Sequence, residues 1–271
     1  PIYDKPMIYY PLTTLMLMGI RNILIITNPA DKVKFMDLLG DGSKWGISIR
    51  FLIQEEANGL ADAFLLTEKY IKTKKIALIL GDNIFYGHDL VKQLVKSTKD
   101  EVGATLFAYP VNNPERYGVI EFDKFNNVKK IIEKPKGSKS KYANTGLYLY
   151  DAKAIEYVKR LKPSKRGELE LTDLNNIYLK NDDLKVEILG RGMTWIDAGT
   201  FESMIEACLF IKTIENRQGL KIGCPEEISW RKKWISTENL SEIASLYPEN
   251  SYKYYLKELL ERKVFESDFL I

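Results

Sequence analysis

Apolar and polar residues along this chain follow two periods, one suited to buried strands and one to amphipathic helices. Asn22-Ile-Leu-Ile-Ile-Thr27 is an apolar run closed by Asn28-Pro29, and Ile76-Ala-Leu-Ile-Leu80 is another closed by Gly81-Asp82-Asn83. Short apolar runs bounded by turn formers predict strands buried on both faces, with 76–80 at the centre of the sheet. Residues 47–53 alternate apolar with polar and predict a strand, as does the run 104–109. Between these, residues 6–18, 31–39, 59–70 and 89–97 carry helical spacing, with Leu60, Phe64 and Leu65 near one face of the third. Strands alternating with helices predict an α/β chain built on a parallel, doubly wound sheet.

Beyond Pro110 the pattern changes. Residues 117–122 and 128–133 read as short strands around a turn at 123–127, hence a hairpin. A strand over 143–150 leads to a helix opened by Asp151 and running to 161, and a second helix covers 169–180 after a break at Gly167. Strands at 186–189 and 193–196 flank Gly190-Arg191-Gly192, and a long helix runs from Thr200 to about 218 with Glu202 in its first turn. After Pro225 the chain reads as several helices. The expected architecture is a mixed, mostly parallel sheet flanked by helices over 1–218, with a C-terminal helical appendage over 219–271.

Composition narrows the functional classes. The 271 residues, 45% apolar and 28% charged, are ordinary for a soluble globular protein that buries a substantial core. A net charge of +3 with no basic run beyond Arg231-Lys-Lys233 argues against nucleic acid as partner. The two cysteines, Cys208 and Cys224, form neither a disulfide framework nor a zinc spacing, so a reduced, cytoplasmic setting is expected. No apolar stretch approaches the roughly 18 residues of a membrane span, and no secretory signal pattern opens the chain. The single histidine, His88, leaves little room for imidazole acid–base chemistry and points to electrostatic, metal-assisted catalysis.

Candidate chemistry lies at strand ends. Asp82 follows the strand 76–80 beside an amide, where it suits a hard cation such as Mg²⁺ that takes further ligands from phosphate and water. Asp197, in Trp195-Ile-Asp-Ala-Gly-Thr200, ends another strand and is expected to meet Asp82 in the same crevice. Both aspartates also read as turn or helix caps. In Glu133-Lys134-Pro135 the proline stops the ladder and aims a lysine at a cleft, where its point charge suits a phosphate and Glu133 suits sugar hydroxyls; a surface ion pair has the same appearance. Arg166 beside Gly167 offers a bidentate phosphate contact. Gln54, just past a strand and close to Asn58-Gly59, offers an amide for a base edge.

Several segments together resemble the glucose-1-phosphate thymidylyltransferases: Pro1-Ile-Tyr-Asp-Lys-Pro-Met-Ile-Tyr-Tyr-Pro11, Leu38-Leu-Gly-Asp-Gly-Ser-Lys-Trp-Gly46, Leu80-Gly-Asp-Asn-Ile-Phe-Tyr-Gly-His88, Pro114-Glu-Arg-Tyr-Gly-Val119, Glu133-Lys-Pro135, Arg166-Gly-Glu-Leu-Glu170 and Gln218-Gly-Leu-Lys221. The resemblance spans essentially the whole chain. It implies a Rossmann-like nucleotidyltransferase fold and Mg²⁺-dependent conversion of dTTP and glucose 1-phosphate into dTDP-glucose and diphosphate. That reaction is the first step toward dTDP-L-rhamnose and related deoxysugars. It further implies a homotetramer, feedback-inhibited by a dTDP-sugar at a second site among the C-terminal helices. Matched by motif, Asp82 and Asp197 are metal ligands, and Gln54 and Gly59 read thymine. Tyr117, Gly118, Glu133, Lys134, Asn144, Thr145, Gly146, Tyr148 and Arg166 form the sugar-phosphate side, with Lys134, Arg166 and Asp82 closest to the chemistry. The chain departs from the family in starting at Pro1, after the family's Gly-rich, Arg-containing loop (GGxGTRL) and the Ser-Lys-Gln that follows. Reduced activity is expected of the chain as it stands, which then reads as a piece of a longer enzyme. Ala198 replaces the family's usual Thr. Two alternatives stand beside this reading: another sugar-1-phosphate nucleotidyltransferase, and a truncated remnant that only binds nucleotide sugar.

Overall fold

A computed structural model describes residues 1–71, 75–99 and 103–261. The first half runs α1 (Tyr9–Leu17), β1 (Asn22–Thr27), α2 (Lys32–Leu39), β2 (Ser48–Ile53), α3 (Asp62–Ile71), β3 (Ile76–Ile79), β4 (Asn83–Gly87), α4 (Leu90–Ser97) and β5 (Ala104–Pro110). The second half runs β6 (Gly118–Phe122), β7 (Val128–Glu133), β8 (Tyr142–Tyr150), α5 (Lys153–Val158), α6 (Leu171–Lys180), β9 (Leu184–Ile188), β10 (Met193–Asp197) and α7 (Phe201–Gln218). Three helices follow: α8 (Pro225–Arg231), α9 (Thr237–Leu246) and α10 (Ser251–Glu261). The far end of the C-terminal region, residues 262–271, lies outside the described residues.

The expected α/β class and the hairpin are present, with β6 and β7 paired antiparallel. Strand direction differs from expectation. Only β1–β2 and β5–β9 are parallel among the described pairings, while β3–β8, β5–β8, β6–β7, β6–β8 and β4–β10 are antiparallel. Local hydrophobic period reports burial and not direction, so the strand–helix alternation overstated the parallel share. Strand β3 is also shorter than expected and only partly buried, though it is covered on both faces, with Ala77 and Ile79 packed on one core layer and Ile76 and Leu78 on the other. The hub is β8, which holds β5 along one edge and β3 and β6 along the other. Strand β4 is an addition: the stretch expected to be only a turn continues directly into a strand that pairs with β10.

Alternation along the central strands builds two core layers. Phe107, Ala143 and Leu147 face a cluster with Met16, Leu39, Trp45 and Leu94, whereas Leu106, Tyr148 and Tyr150 face Phe64, Leu174 and Tyr178. Each such fully buried large side chain contributes on the order of 1.5–3 kcal/mol of transfer free energy. A third cluster, with Ile2, Tyr10, Ile84, Ala198, Ala207 and Ile211, seats α7 against β4 and β10.

Helix α7 starts and stops where its sequence directs. Thr200 Oγ1 accepts from Ser203 N and Ser203 Oγ accepts from Thr200 N, a reciprocal cap, while Gly219 closes the helix at φ 68°. Its last turn is tied to the chain start by Glu215, which accepts from Lys5 Nζ (2.7 Å), Lys221 Nζ (2.7 Å) and Ile222 N (2.9 Å). Buried Glu226 fastens the C-terminal helices, accepting from Trp45 Nε1 (3.0 Å), Tyr247 Oη (2.8 Å) and Tyr252 Oη (2.7 Å). A buried carboxylate so surrounded by donors is satisfied, and removing any one donor exposes its charge to a dry interior.

Candidate active site

The register of β4 against β10 brings two distant aspartates together. Asp82 occupies the turn between β3 and β4, Asp197 is the last residue of β10, and Asp197 stands opposite Asn83 in the ladder. Ala198 N donates to the Asp82 carbonyl at 2.9 Å, which fixes the two turns to each other. Asp82 Oδ2 and Asp197 Oδ1 each lie 3.2 Å from the point that a Cβ on Gly199 would occupy, so both carboxylates converge over that glycine. Burial, then the negative charge of Asp82, pushes the Asp197 carboxyl above its ordinary value, with Arg116 opposing the shift. Asp197 is not the cap of α7; that position belongs to Thr200.

Asn83 is the bracket of the site. Its Oδ1 accepts from Gly146 N (3.0 Å) and Trp195 Nε1 (2.5 Å), while its Nδ2 donates to Asp82 Oδ1 (2.8 Å). One buried amide therefore links β8, β10 and the Asp82 carboxylate. Gly146 permits this approach, since a Cβ there would lie 2.5 Å from Asn83 Oδ1.

Alongside lies the surface expected to face sugar phosphate. The Tyr117 ring meets Trp195 edge-on at 5.0 Å, and Arg116 sits 5.5 Å from the Tyr117 ring with its Nη2 3.8 Å from Asp197 Oδ2. Gly118 pairs with Glu133 across the hairpin. Glu133 accepts from Thr172 Oγ1 at 2.5 Å, and its other oxygen lies 3.9 Å from Arg166 Nη1. Arg166 also pairs with Glu168 and Glu170, so three carboxylates hold its guanidinium. Lys134 is exposed, with its backbone in the left-handed region at φ 40° and its N–H donated to the Tyr117 carbonyl at 3.0 Å. Such a conformation costs a non-glycine residue on the order of 1 kcal/mol or more and is frequent at ligand sites. Asn144 Oδ1 and Thr145 Oγ1 are buried without a hydrogen-bond partner, an arrangement that suits an incoming donor. Tyr148 lies deeper, buried in the second core layer, where burial and then Glu133 raise its hydroxyl pKa.

The expected base-reading residues also meet. Gln54 Nε2 donates to the Gly59 carbonyl (3.2 Å) and to Asp62 Oδ2 (2.9 Å), leaving the amide oxygen as its acceptor. Gly59 lies before α3 and not within it, at φ 101°, and a Cβ there would fall 2.5 Å from the Leu169 carbonyl oxygen. Leu169 N donates to Asn58 O (2.7 Å), so this loop is seated on the segment between Arg166 and α6. His88 is exposed. Sequence reasoning singled out neither Asn83 as a bracket nor Arg116, Trp195 and Thr172. Asn83 and Arg116 do stand inside the quoted segments Leu80–His88 and Pro114–Val119, but their partners are remote in sequence.

Among the described residues, no group of three or more His, Cys, Asp and Glu converges as a complete metal shell. Two carboxylates at a strand-end turn fit a hard cation that completes its shell with phosphate oxygens and water, and do not fit a closed structural site. The family model for nucleotidyl transferases matches residues 1–214. The chain belongs to the nucleotidyl transferase family. It is 52% identical to a glucose-1-phosphate thymidylyltransferase of Neisseria meningitidis, over 97% of this chain and 91% of that protein. It is 48% identical to the enzyme of that name from Mycolicibacterium smegmatis, again over 97% and 91%. Among solved structures it resembles one from Bacillus anthracis, described as a candidate glucose-1-phosphate thymidylyltransferase in complex with sucrose. That likeness has a TM-score of 0.72 and 39% identity, covering 78% of this chain and 84% of that one. Within this nucleotidyl transferase Arg116 joins the aspartate pair to the Tyr117 end of the hairpin, and the Asn58–Gly59 loop is seated on Leu169, shortly after Arg166.

Proposed function

We propose that this chain transfers a thymidylyl group from dTTP to α-D-glucose 1-phosphate, giving dTDP-glucose and diphosphate, as a step toward deoxysugars. The convergence of Asp82 and Asp197 beside the Tyr117–Gly118 and Glu133–Arg166 surface carries the reading, in a chain half identical to thymidylyltransferases. Asp82 and Asp197 hold Mg²⁺, which when bound offsets charge on the triphosphate. Lys134 and Arg166 bind the sugar phosphate and spread its charge, while Glu133, Asn144 and Thr145 receive sugar hydroxyls. Gln54 and the backbone at Gly59 face the thymine. No side-chain nucleophile is needed, because the sugar-phosphate oxygen attacks once it is held in line with the α-phosphorus. A panel of nucleoside triphosphates and sugar 1-phosphates, read by Mg²⁺-dependent diphosphate release, tests the assignment. dTTP with glucose 1-phosphate should give the highest rate, whereas dTDP-sugar binding without any release would favour a binding remnant.

Lys134→Ala should raise the glucose 1-phosphate KM by roughly ten- to a hundredfold, the scale of one lost charge-assisted hydrogen bond, with dTTP changed far less. Equal losses for both substrates in steady-state kinetics would place Lys134 elsewhere in the reaction.

The reading includes self-association and feedback by a dTDP-sugar. Phe201 (82% exposed), Ile205 (61%) and Leu209 (58%) form an i, i+4, i+8 row along α7. Paired antiparallel about Ile205, two copies would set Phe201 of each against Leu209 of the other, an isologous contact of the kind a homotetramer built from dimers requires. Leu209→Glu should shift sedimentation velocity toward smaller species, and an unchanged distribution would move the interface elsewhere. For feedback, Glu226 supplies a physical link, since it binds C-terminal tyrosines and Trp45, which lies shortly before β2 and Gln54. Cys208 and Cys224 form no disulfide, and no helix among the described residues is long and apolar enough to cross a membrane.

A further inference from the structure

We propose that Arg116 is an internal counter-cation for the Asp82–Asp197 pair, one that gives way when a divalent cation binds and then serves the incoming polyphosphate. This rests on the cation-binding reading of the two aspartates. Two carboxylates fixed over one glycine repel each other unless positive charge is near. Among the described residues the cationic side chain that reaches them is Arg116, whose Nη2 stands 3.8 Å from Asp197 Oδ2.

That separation lies beyond hydrogen-bond range, and the Arg116 side chain is 42% exposed against 22% for Asp197, so little desolvation opposes its departure. Its backbone is anchored, because residues 114–116 form a 3₁₀ turn closed by Tyr117 N on the Pro114 carbonyl at 3.0 Å. The Tyr117 ring, 5.5 Å away and braced by Trp195, offers the guanidinium a second seat. Trp195 in turn is held by Asn83, the same residue that orients Asp82. The guanidinium therefore shares one scaffold with the carboxylates and can leave them without leaving the site. Arginine keeps its charge at every working pH, so it competes with a metal ion and does not act as a proton switch. Once displaced, its planar fork suits bidentate contact with phosphate oxygens.

The test is calorimetric titration of the chain with MgCl₂ or MnCl₂ in the absence of nucleotide, comparing wild type with Arg116→Gln and Arg116→Lys, followed by dTTP titration at saturating cation. Removing the competitor should lower the cation Kd of Arg116→Gln by roughly two- to fivefold, the scale of an exposed ion pair. Arg116→Lys should stay near wild type for the cation. The dTTP Kd of Arg116→Gln should rise in the same experiment. A merely structural role, in which Arg116 orients Asp197, predicts weaker binding of both. An unchanged or raised cation Kd in Arg116→Gln overturns the proposal. If wild type and both variants bind no cation alone, the proposal falls, whereas the two-aspartate reading stands or falls on cation binding in the presence of dTTP.

Discussion

Asp82→Asn is expected to abolish turnover while leaving the fold intact. The turn that holds residue 82 depends on its backbone carbonyl, which accepts from Ala198 N, and an asparagine keeps that bond and the side-chain shape. What disappears is one of the two negative charges that converge over Gly199. Losing a single preorganised charge partner at a reacting phosphate typically costs 10²–10³ in rate, and losing the cation's seat should cost at least roughly 10³. Diphosphate release measured beside the circular dichroism melt separates the two effects. Near-normal rates with an unchanged melt would remove Asp82 from the chemistry.

Asn83→Ala should act on stability first. The substitution leaves Gly146 N and Trp195 Nε1 without their acceptor in a buried place and frees the Asp82 carboxylate to reorient. Each of the two stranded donors costs about 1–3 kcal/mol, so a loss of roughly 2–6 kcal/mol is expected from a total that is commonly about 5–15 kcal/mol. Urea denaturation should show a lower midpoint with a similar slope. Asn83→Asp, which keeps an acceptor but adds a third carboxylate, should recover part of the stability and none of the activity. A midpoint shift equivalent to less than about 0.5 kcal/mol for Asn83→Ala would mean that water or a neighbour replaces the lost acceptor.

These two residues also mark where the sequence was legible and where it was not. Asp82 could be read because a flexible turn after an apolar run is a local signal, and strand ends of α/β sheets line a shared crevice. The reason it meets Asp197 was not local. It depends on β4, which follows Gly81-Asp82-Asn83 without a gap and is only five residues long, Asn83 to Gly87, so turn formers masked it. The hairpin 118–133, helix α7 and the helical C-terminus were visible because period, turn and cap residues agreed. Strand direction was invisible: Ile76–Ile79 pairs antiparallel with β8, and no residue in that run reports its neighbour. Arg166 was expected as a phosphate binder, and its own segment, Arg-Gly-Glu-Leu-Glu, already contained Glu168 and Glu170, the carboxylates that hold it. Thr172 against Glu133 and Trp195 against Asn83 join positions far apart in sequence, which propensity and spacing do not address.

The most direct test of the account is the stoichiometry of Mn²⁺ binding, read by electron paramagnetic resonance in the presence of dTTP, for wild type, Asp82→Asn and Asp197→Asn. One ion per chain in the wild type, lost in both variants, is the predicted result. Retention of that ion at wild-type affinity in either variant would contradict a site built by the two aspartates together.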